Sequence, residues 1–470
     1  MPQGLDEATF EAALGSASMG VIDGPGMRVT GAQLTALVSR LPADGALRRA
    51  RWIDLEGASI EGSCDLSNVG IEGVTDFTGT TFDGRADFNR AVFHGDARFA
   101  GAQFNGRAFF ECAEFRDDVD FAEARFSEDA YLAGIRFGRA RVLGPMLVMQ
   151  TLSLGASVFE ERVRIQVSAK EVRCSEAEFR AGVDLLVRWG TIVAEGVDFG
   201  AESVLGLLPP ASETGMEPTI LEAERPTVDA RAQALDGTPA LVSLRASKVA
   251  HLTLTRVDLG ECRFAGAYGL DSLRMRRVAF DEPPGRRTRR QAIAEEHYWR
   301  GWKQKPRDYV DLDAAQVATL YRALRKGRED DKDAPGAGDL YYGEMEMRRQ
   351  KEKVATGVAG FGVRHPSTTE RWILVAYWLL SGYGLRASRA LLALLVLVAA
   401  LAVPLDLCGF DHDKGYWGAL LFSVESSIGF LRPPTDELRT EGEVVQIALR
   451  LLGPLLFGLA LLAVRSRVKR

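Results

Sequence analysis

The residues that could do chemistry in this 470-residue chain lie near its C-terminus, in the stretch ALLFSVESSIGFLRPP at 419–434. Ser423 and Ser427 offer hydroxyl oxygens and Glu425 offers a carboxylate. Gly429 and Phe430 offer backbone carbonyl oxygens. Oxygens of these kinds can replace the hydration shell of a cation in an ion pathway. The sequence therefore indicates one candidate pore-like loop, provided that neighbouring segments place it in a membrane.

Residues suited to other chemistry are scattered along the chain. We expect the five cysteines to be small buried thiols in a reducing compartment, because they form no CxxC pair and have no histidine at ligand spacing. They are Cys64, Cys112, Cys174, Cys262 and Cys408. The chain also lacks a Walker loop, HExxH, GxSxG and a GxGxxG loop between a strand and a helix. The sequence accordingly gives no catalytic, cofactor-binding or metal-ligating residue, and we expect no cofactor.

A repeat of large apolar residues organises residues 55–137. They recur at alternating steps of five and six, at Leu55, Ile60, Leu66, Ile71, Phe77, Phe82, Phe88, Phe93, Phe99, Phe104, Phe110, Phe115, Phe121, Phe126, Leu132 and Phe137. A smaller residue, most often alanine, stands two positions before most of them. Side chains alternate along an extended chain, so both point the same way, and self-similarity at so short a period predicts a solenoid. We predict that these sixteen residues form the solenoid core.

The units ADFNR, ARFAG, AEFRD and ARFSE within this repeat resemble those of the pentapeptide-repeat family. The resemblance implies a mainly β fold, a right-handed quadrilateral β-helix with four units in each coil. One extra residue in every second unit makes the coil about 22 residues long. Strict steps of five return at 244–264. We place the solenoid at 51–282, with a Pro-rich loop insertion at about 208–238.

Helical segments are predicted on both sides of the solenoid. The N-terminal segment, 1–50, contains a helical cap at 30–41 that begins with a threonine. A basic helical linker at 283–365 contains an antiparallel hairpin of 313–330 and 336–353, with Asp313 as a helix cap and the turn at Pro335 and Gly336. We expect the basic residues of 283–310 to contact anionic lipid headgroups. We expect helix-packing or membrane-interface roles for His297, Tyr298, Trp299 and Trp302.

The C-terminal part, 366–470, is predicted to be a membrane domain. Two uncharged or nearly uncharged stretches predict transmembrane helices at about 388–408 and 444–464, and 371–384 predicts an interfacial helix. Basic membrane-surface residues flank the crossings, at Arg386, Arg389, Arg465, Arg467, Lys469 and Arg470. The loop between the crossings is acidic, so the positive-inside rule places the solenoid and both termini in the cytoplasm. The absence of a basic start followed by an apolar stretch at the N-terminus agrees with this orientation.

Two further resemblances bear on this membrane domain. The sequences LYRALRK and LYYGEMEMRR are similar to a segment of bacterial membrane-attached pentapeptide-repeat proteins. This resemblance implies a multi-pass protein of the bacterial inner (plasma) membrane. Two crossings around a pore-like loop distantly resemble the two-transmembrane ion channel module. The loop departs from the pattern of that family, with Leu431 in place of a filter glycine and Arg432 in place of an acid. Leucine resists the backbone conformation that glycine supplies, and an arginine repels cations.

The charged Arg450 inside the second crossing allows two interpretations. We expect it to snorkel toward the outer interface, and a pore or partner site is the alternative. Similarly, the loop at 419–434 can be a pore element or a re-entrant or surface segment that helps the two helices pack. We expect Gly453, Pro454 and Gly458 to kink the second crossing or to allow close packing.

We therefore expect a membrane-anchored cytoplasmic solenoid that acts as a scaffold or protein-interaction module. Its expected partners are membrane lipid, an unidentified protein and further copies of the chain. The net charge of −6 gives no reason to expect nucleic acid. An ion-channel-like pore regulated by the solenoid is one alternative. A membrane-associated oxidoreductase is another, implied by the resemblance to membrane-bound relatives, although no cofactor motif is present.

Overall fold

A computed structural model describes residues 20–45, 47–208, 237–285, 290–350, 368–383, 387–410, 415–428 and 438–468. The chain divides into two units, 1–310 and 311–470. The predicted loop insertion at about 208–238 lies almost entirely outside the described residues.

The first unit is a β-solenoid of about nine turns. Between residues 55 and 137 each coil contributes four short strands, one to each of four faces, and the coils pair in parallel. One face is a five-stranded sheet of Val21–Asp23, Trp52–Asp54, Thr75–Asp76, Ala97–Arg98 and Val119–Asp120. The adjoining nine-stranded sheet holds Ala43–Asp44, Leu47–Ala50, Val69–Ile71, Val92–Phe93, Glu114–Phe115, Arg136–Phe137, Val158–Phe159, Glu178–Phe179 and Asp198–Phe199.

The two remaining faces merge into one 17-stranded sheet. Its strands up to residue 131 are Arg28–Thr30, Ser59–Glu61, Cys64–Asp65, Thr81–Phe82, Ala86–Asp87, Gln103–Phe104, Ala108–Phe109, Arg125–Phe126 and Ala130–Tyr131. The later strands are Val142–Ser153, Val163–Arg173, Val183–Val187, Thr191–Val193, Ser203–Leu207, Ala240–Ser243, Leu252–Thr255 and Arg274–Arg276. The faces merge because Val142–Ser153 and Val163–Arg173 run through a corner without ending.

Ladders of stacked rings fill the interior of the solenoid. All sixteen repeat positions from Leu55 to Phe137 are at most 2% exposed. Phe82 lies opposite Phe104, 22 residues later, and their ring centroids are 4.8 Å apart. This separation equals the spacing of neighbouring strands, so each ring stacks on its equivalent in the next coil. After residue 159 the coil shortens to 20 residues, since Phe159 lies opposite Phe179.

The corner glycines have two different roles. Gly79 has a φ of +64°, a left-handed conformation that glycine adopts without strain. Gly84, Gly95 and Gly106 are needed for close approach instead. A Cβ atom on Gly84 would lie 2.4 Å from the backbone of Gly62 in the coil below, and the other two meet similar contacts. Coils spaced by a single strand width leave no room for a side chain there.

The solenoid starts earlier than residue 51. Val21–Asp23 already pairs with Trp52–Asp54, and Arg28–Thr30 pairs with Ser59–Glu61. Helix α1, Gly31–Ser39, follows directly, and Thr30 caps it through a capping box with Gln33. Leu34, Leu37 and Val38 are buried beneath this helix. The helix therefore covers the first coil, as a cap must do to shield an open end of a solenoid.

Residues 283–310, which we assigned to a linker, belong to the solenoid unit. Arg274–Arg276 is its last strand, and a short 3₁₀ turn, Leu270–Ser272, precedes it. Helix α2, Ala294–Arg300, then packs on the end of the solenoid with five buried residues, Ala294 to Tyr298.

The second unit is entirely helical. Helices α3 (Ala314–Asp330) and α4 (Ala334–Arg349) form a hairpin, followed by α5 (Thr368–Ser381) and α6 (Ala387–Pro404). A π-helical turn, Leu405–Gly409, extends α6, and α7 (Gly415–Ile428) and α8 (Thr440–Val468) complete the unit. Asp313 caps α3 as predicted. The turn lies at 331–333, before Pro335 and Gly336, because proline is well suited to the first helical turn, where its missing N–H costs nothing.

Candidate functional site

Two helices of the second unit are long and apolar enough to cross a membrane. They span Ser388–Gly409 and Thr440–Leu462, and only 17% and 22% of their apolar windows are buried. Large apolar side chains such as Leu395 and Leu451, which are 66% and 68% exposed, cover their outer surfaces. The inner surfaces pack against each other and against α7, around Val398, Ala402, Leu405, Phe410, Ala419, Phe422 and Leu449.

Two close contacts at glycines fix the relative positions of α6, α7 and α8. A Cβ atom on Gly442 would lie 2.3 Å from the carbonyl oxygen of Gly409, so the turn that extends α6 touches the start of α8. A Cβ atom on Gly453 would lie 2.9 Å from the backbone of Ser427, which brings the end of α7 against the middle of α8. The expectation that Gly453 allows close packing is thus met at this position, whereas Gly458 faces open space.

The geometry of α7 is re-entrant. Phe410 is the last described residue before α7 and Leu438 is the first described residue after it, and these two residues pair with each other. Ser427, near the end of α7, lies beside Gly453, which is 11 residues and about 16 Å along α8 from Gly442. With 14 residues, α7 is too short to cross a bilayer. It enters the bundle to about half its depth, and the chain returns to the same end.

The predicted pore-like residues divide between the two sides of α7. Ser423 and Ser427 are buried, and each hydroxyl donates to a backbone carbonyl four residues earlier, at Ala419 and Ser423 respectively. The hydrogen bonds of both hydroxyls are therefore made within α7 itself. Glu425 is exposed on the outer side. Gly429 and Phe430 lie outside the described residues.

Of the basic membrane-surface residues, Arg389 alone has a described side chain. Its guanidinium lies 5.3 Å from the ring centroid of Trp378 on α5, and Arg349 of α4 lies 4.6 Å from the same ring. The indole N–H of Trp378 also donates to the Tyr342 hydroxyl at 3.1 Å. One side of α5 is therefore held against α4 and the start of α6. The other side exposes the apolar residues Trp372, Ile373 and Leu379.

A buried acidic group closes the C-terminal end of the solenoid. The Glu295 side chain of α2 is fully buried and accepts backbone N–H bonds from Phe264 and Ala265. Burial raises the pKa of this carboxyl to about 7, against the opposing effect of those two N–H donors. Nearby, the Tyr298 hydroxyl donates to Glu261 at 2.8 Å. Glu295 thus satisfies strand-edge donors that an open solenoid end would leave unpaired.

Three of the described basic residues of 283–310, namely Arg290, Arg300 and Lys303, form ion pairs within the solenoid unit. Arg290 and Arg300 both bind the buried Glu296, at 2.6 and 2.7 Å. Arg263 bridges Asp308 and Glu195 at 2.6 and 3.0 Å. The lipid contact that we expected for this segment therefore does not fit Arg290 and Arg300. The adjacent acids in an otherwise basic stretch were the sequence signal for this cluster, and we missed it.

The aromatic residues beside this cluster serve packing. His297 and Tyr298 are each 2% exposed, and the rings of His297 and Trp302 meet edge-on at 5.5 Å. Arg300 lies 4.9 Å from the ring centroid of Trp302 and 5.8 Å from that of Trp299.

The outward surface of the solenoid differs from face to face. On the nine-stranded sheet, charges pair with one another along the stack: Glu160 binds Arg136 and Arg180, and Lys248 binds Asp198. The two arginines lower the pKa of Glu160. On the five-stranded sheet, the apolar Trp52 and Val74 are about 40% exposed.

Carboxylates dominate the rest of the five-stranded face. Asp96, Asp117 and Asp118 bring oxygen atoms within 4.8 Å of one another. A groove of about 390 Å³ runs beside them and is lined by Asp96, Ala97, Arg98, Asp118, Val119, Asp120, Arg141 and Val142. Ion pairs are present here too, such as Arg139 with Asp117 at 3.1 Å, but Asp118 forms none among the described residues. The five-stranded sheet therefore combines acidic and apolar surface.

The expectation that all cysteines are buried is wrong for two of them. All five are free thiols, but Cys112 and Cys408 are exposed. Cys112 occupies a corner with a φ of +58°, which turns its side chain away from the core. Cys408 lies in the π-helical turn at the end of α6. Burial raises the pKa of Cys64 and Cys174 to about 12, which makes these two thiols unreactive.

Comparison with known protein families gives a match within the solenoid. Residues 55–103 match the family model of pentapeptide repeats, with nine copies. No curated protein and no solved structure matches the chain. The matched residues are the coils in which large apolar residues alternate by five and six and stack as inward ladders. Sequence and structure together identify residues 55–103 as pentapeptide repeats within a β-solenoid, which is followed by a helical region that contains two apolar helices.

Proposed function

We propose that this chain is a membrane-anchored scaffold. Its solenoid is held at the cytoplasmic side of the bacterial inner membrane by α6 and α8, and it presents the five-stranded face to a protein partner. The observation that carries the proposal is the apolar outer surface of α6 and α8, most of which no other part of the described chain covers.

The exposed apolar surface supports anchoring because a bilayer is the environment that stabilises it. Side chains like Leu395 and Leu451 point outward along both helices, whereas a soluble helix of this length would bury one face and carry polar residues on the other. The exposed side of α5, with Trp372 and Ile373, fits the level of the lipid headgroups.

The solenoid supports a binding role on its outside alone. Its described interior from Leu55 to Phe137 is filled by side chains that are at most 2% exposed, which leaves no room for a ligand. On the nine-stranded sheet the charges are mostly satisfied by each other. The five-stranded face carries Asp118, which forms no ion pair among the described residues, as well as the exposed Trp52 and Val74, and this surface fits a partner with basic and apolar side chains.

Anchoring is tested by Leu395→Arg and Leu451→Arg in the full chain. Replacing leucine by arginine near the centre of a crossing costs about 3 kcal/mol per site in membrane insertion. We expect the double variant to leave the membrane fraction in alkaline extraction and vesicle flotation. The matched control, Leu395→Ala with Leu451→Ala, should remain in it. Equal flotation of both variants would contradict anchoring by these helices.

The docking face is tested by proximity labelling in living cells from the full chain. The proteins labelled around the unaltered solenoid are compared with those around Asp118→Lys with Asp120→Lys. We expect one labelled protein to be lost. It should be retained with Glu114→Lys and Glu178→Lys, which change the same number of charges on the nine-stranded sheet. Loss with both pairs, or with neither, would refute a binding role for the five-stranded face.

A pore is the second candidate function, favoured by the re-entrant geometry of α7. A segment that enters a membrane bundle and returns to the same side can line an ion pathway. Reconstitution of the full chain into liposomes tests this function through cation flux. If a pore exists, Leu431→Gly should increase flux, because glycine supplies the filter conformation that leucine resists. Liposomes that hold the protein and show no flux with either residue would exclude it.

A further inference from the structure

Two charged residues lie in the middle of the membrane unit. The stretches 390–405, 415–428 and 444–462 contain only Glu425 and Arg450 as charged residues. Charged side chains at such depth are costly and are normally paired with an opposite charge or face the interior of a bundle. Their positions therefore need an explanation in terms of what surrounds them.

The two charges lie at nearly the same depth. Ser427 of α7 touches Gly453 of α8, and this contact defines a common level. Glu425 is two residues from Ser427, and Arg450 is three residues from Gly453. At 1.5 Å of rise per residue, both lie within about 5 Å of that level along their helices. The level itself is about 16 Å from the Gly409–Gly442 contact at the end of the bundle, which puts both charges near the middle of a bilayer about 30 Å thick.

The two side chains do not pair within one chain. Among the described residues, neither Glu425 nor Arg450 forms an ion pair or a side-chain hydrogen bond, and the Nε atom of Arg450 is buried without a partner. On α7, Glu425 is two residues, or about 200°, away from Ser427, the residue that faces α8. Glu425 therefore points away from the helix that carries Arg450 in the same chain.

The surroundings of Glu425 are those of an uncovered interface. Leu421 and Val424 are exposed beside it, at 62% and 38%. Leu451 and Leu452 next to Arg450 are exposed as well. Glu425 is exposed and Arg450 is half-buried beside exposed leucines, so an acid and a base that are complementary in charge lie at one depth.

We propose that the membrane unit binds a second copy of this chain through an ion pair between Glu425 of one copy and Arg450 of the next. The inference rests on the membrane anchoring proposed above. Because the acid and the base lie on different surfaces of the unit, the contact is head-to-tail, and such contacts form a ring when the rotation between copies closes. The pair removes two isolated charges from lipid at once, and the neighbouring leucines pack around it.

The first test measures the mass of the detergent-solubilised full chain by light scattering. We expect the polypeptide mass of the unaltered chain to correspond to two or more copies of 51.3 kDa each. Glu425→Gln and Arg450→Gln should each weaken association by about tenfold, the effect of a polar pair worth one to two kcal/mol in a membrane. The charge exchange Glu425→Arg with Arg450→Glu should restore it. The control Glu443→Gln, at the exposed start of α8, should leave association unchanged.

The second test shows whether the pair forms between chains even if a variant associates poorly in detergent. Two differently tagged chains, both carrying Cys112→Ser and Cys408→Ser, are produced together in one cell. One also carries Glu425→Cys and the other Arg450→Cys. Membranes that contain both chains are then treated with copper phenanthroline and oxygen, which oxidise neighbouring thiols to disulfides. We expect a disulfide-linked species with both tags, and far less of it when Glu443→Cys replaces Glu425→Cys.

Vesicle flotation separates this inference from the proposal on which it rests. A chain that does not float refutes the anchoring itself. A chain that floats but is monomeric, or that gives no two-tag species, refutes the contact between copies and leaves the anchoring intact. Equal association of Glu425→Gln and Glu443→Gln would also refute the ion pair.

Discussion

Removal of one ring from the ladder should destabilise the solenoid far more than removal of its neighbour in sequence. Phe110 and Phe109 are adjacent phenylalanines, but Phe110 is 0% exposed in the core and Phe109 lies on the outer surface. Phe109 stacks on Tyr131 at 4.8 Å and lies 4.3 Å from the guanidinium of Arg85. Phe109→Ala is therefore a control of the same residue type, in the same coil, with an aromatic partner of its own.

The magnitude for Phe110→Ala follows from its contacts. The ring stacks on Phe88 at 4.6 Å and meets Phe99 and Phe121 edge-on at 5.5 and 5.7 Å. Truncation of a buried phenylalanine costs about 3–5 kcal/mol. We expect a value near the upper end, because Phe88 and Leu132, its equivalents in the coils below and above, are held by their own strands and cannot move into the cavity. For Phe109→Ala we expect about 1 kcal/mol, the value of one outer aromatic pair.

Thermal unfolding of the full chain in detergent, followed by the β-sheet circular dichroism signal, measures both effects. A loss of about 4 kcal/mol lowers the Tm of a domain of this size by roughly 8–16 °C, and a loss of about 1 kcal/mol lowers it by roughly 2–4 °C. Phe110→Leu should recover most of the difference, since leucine fills much of the cavity. Equal Tm values for Phe110→Ala and Phe109→Ala would refute the argument that the inward ladder holds the solenoid together.

Three further predictions concern backbone contacts and one acid. Gly106→Ala should destabilise the solenoid by about 1–3 kcal/mol in the same unfolding assay, because its Cβ atom would lie 2.7 Å from the backbone of Gly84. Gly453→Val should separate α7 from α8 at Ser427, which faster hydrogen exchange of both helices would reveal. Glu295 has its pKa raised to about 7 by burial, so the unfolded chain loses its proton first, near pH 4.5, and the folded chain only near pH 7. Stability should therefore fall by about 3 kcal/mol as the pH rises from about 4.5 to 7, and Glu295→Gln should abolish this dependence while leaving the solenoid folded.

The ladder could be predicted from sequence because each of its positions repeats the same physical requirement. An extended chain that turns a corner every five or six residues must bury one large side chain per face. Between Phe77 and Phe137 a large apolar residue stands at every such position. The same spacing of 22 also aligns Gly62, Gly84 and Gly106 in one column, although only the coil-to-coil distance shows that they are needed for close approach.

The end of the solenoid and the membrane unit were harder to predict because they depend on contacts that do not repeat. Glu295 meets backbone groups 30 and 31 residues earlier, and Arg263 meets Glu195 across 68 residues. No periodic signal marks such pairs. Similarly, the sequence gives the lengths of α6 and α8, but the depth at which Ser427 meets Gly453 appears only when the helices are packed.

Labelling of cysteines from the outside of the cell tests most directly whether the solenoid lies in the cytoplasm on helices that cross the membrane. Cys112 is exposed on the solenoid, and Glu441→Cys places a thiol at the exposed start of α8, in a chain that also carries Cys408→Ser. A membrane-impermeant maleimide should label position 441 in cells with an intact inner membrane, and should label Cys112 only after that membrane is permeabilised. Labelling of Cys112 in intact cells, or protection of both positions until permeabilisation, would contradict the proposed arrangement.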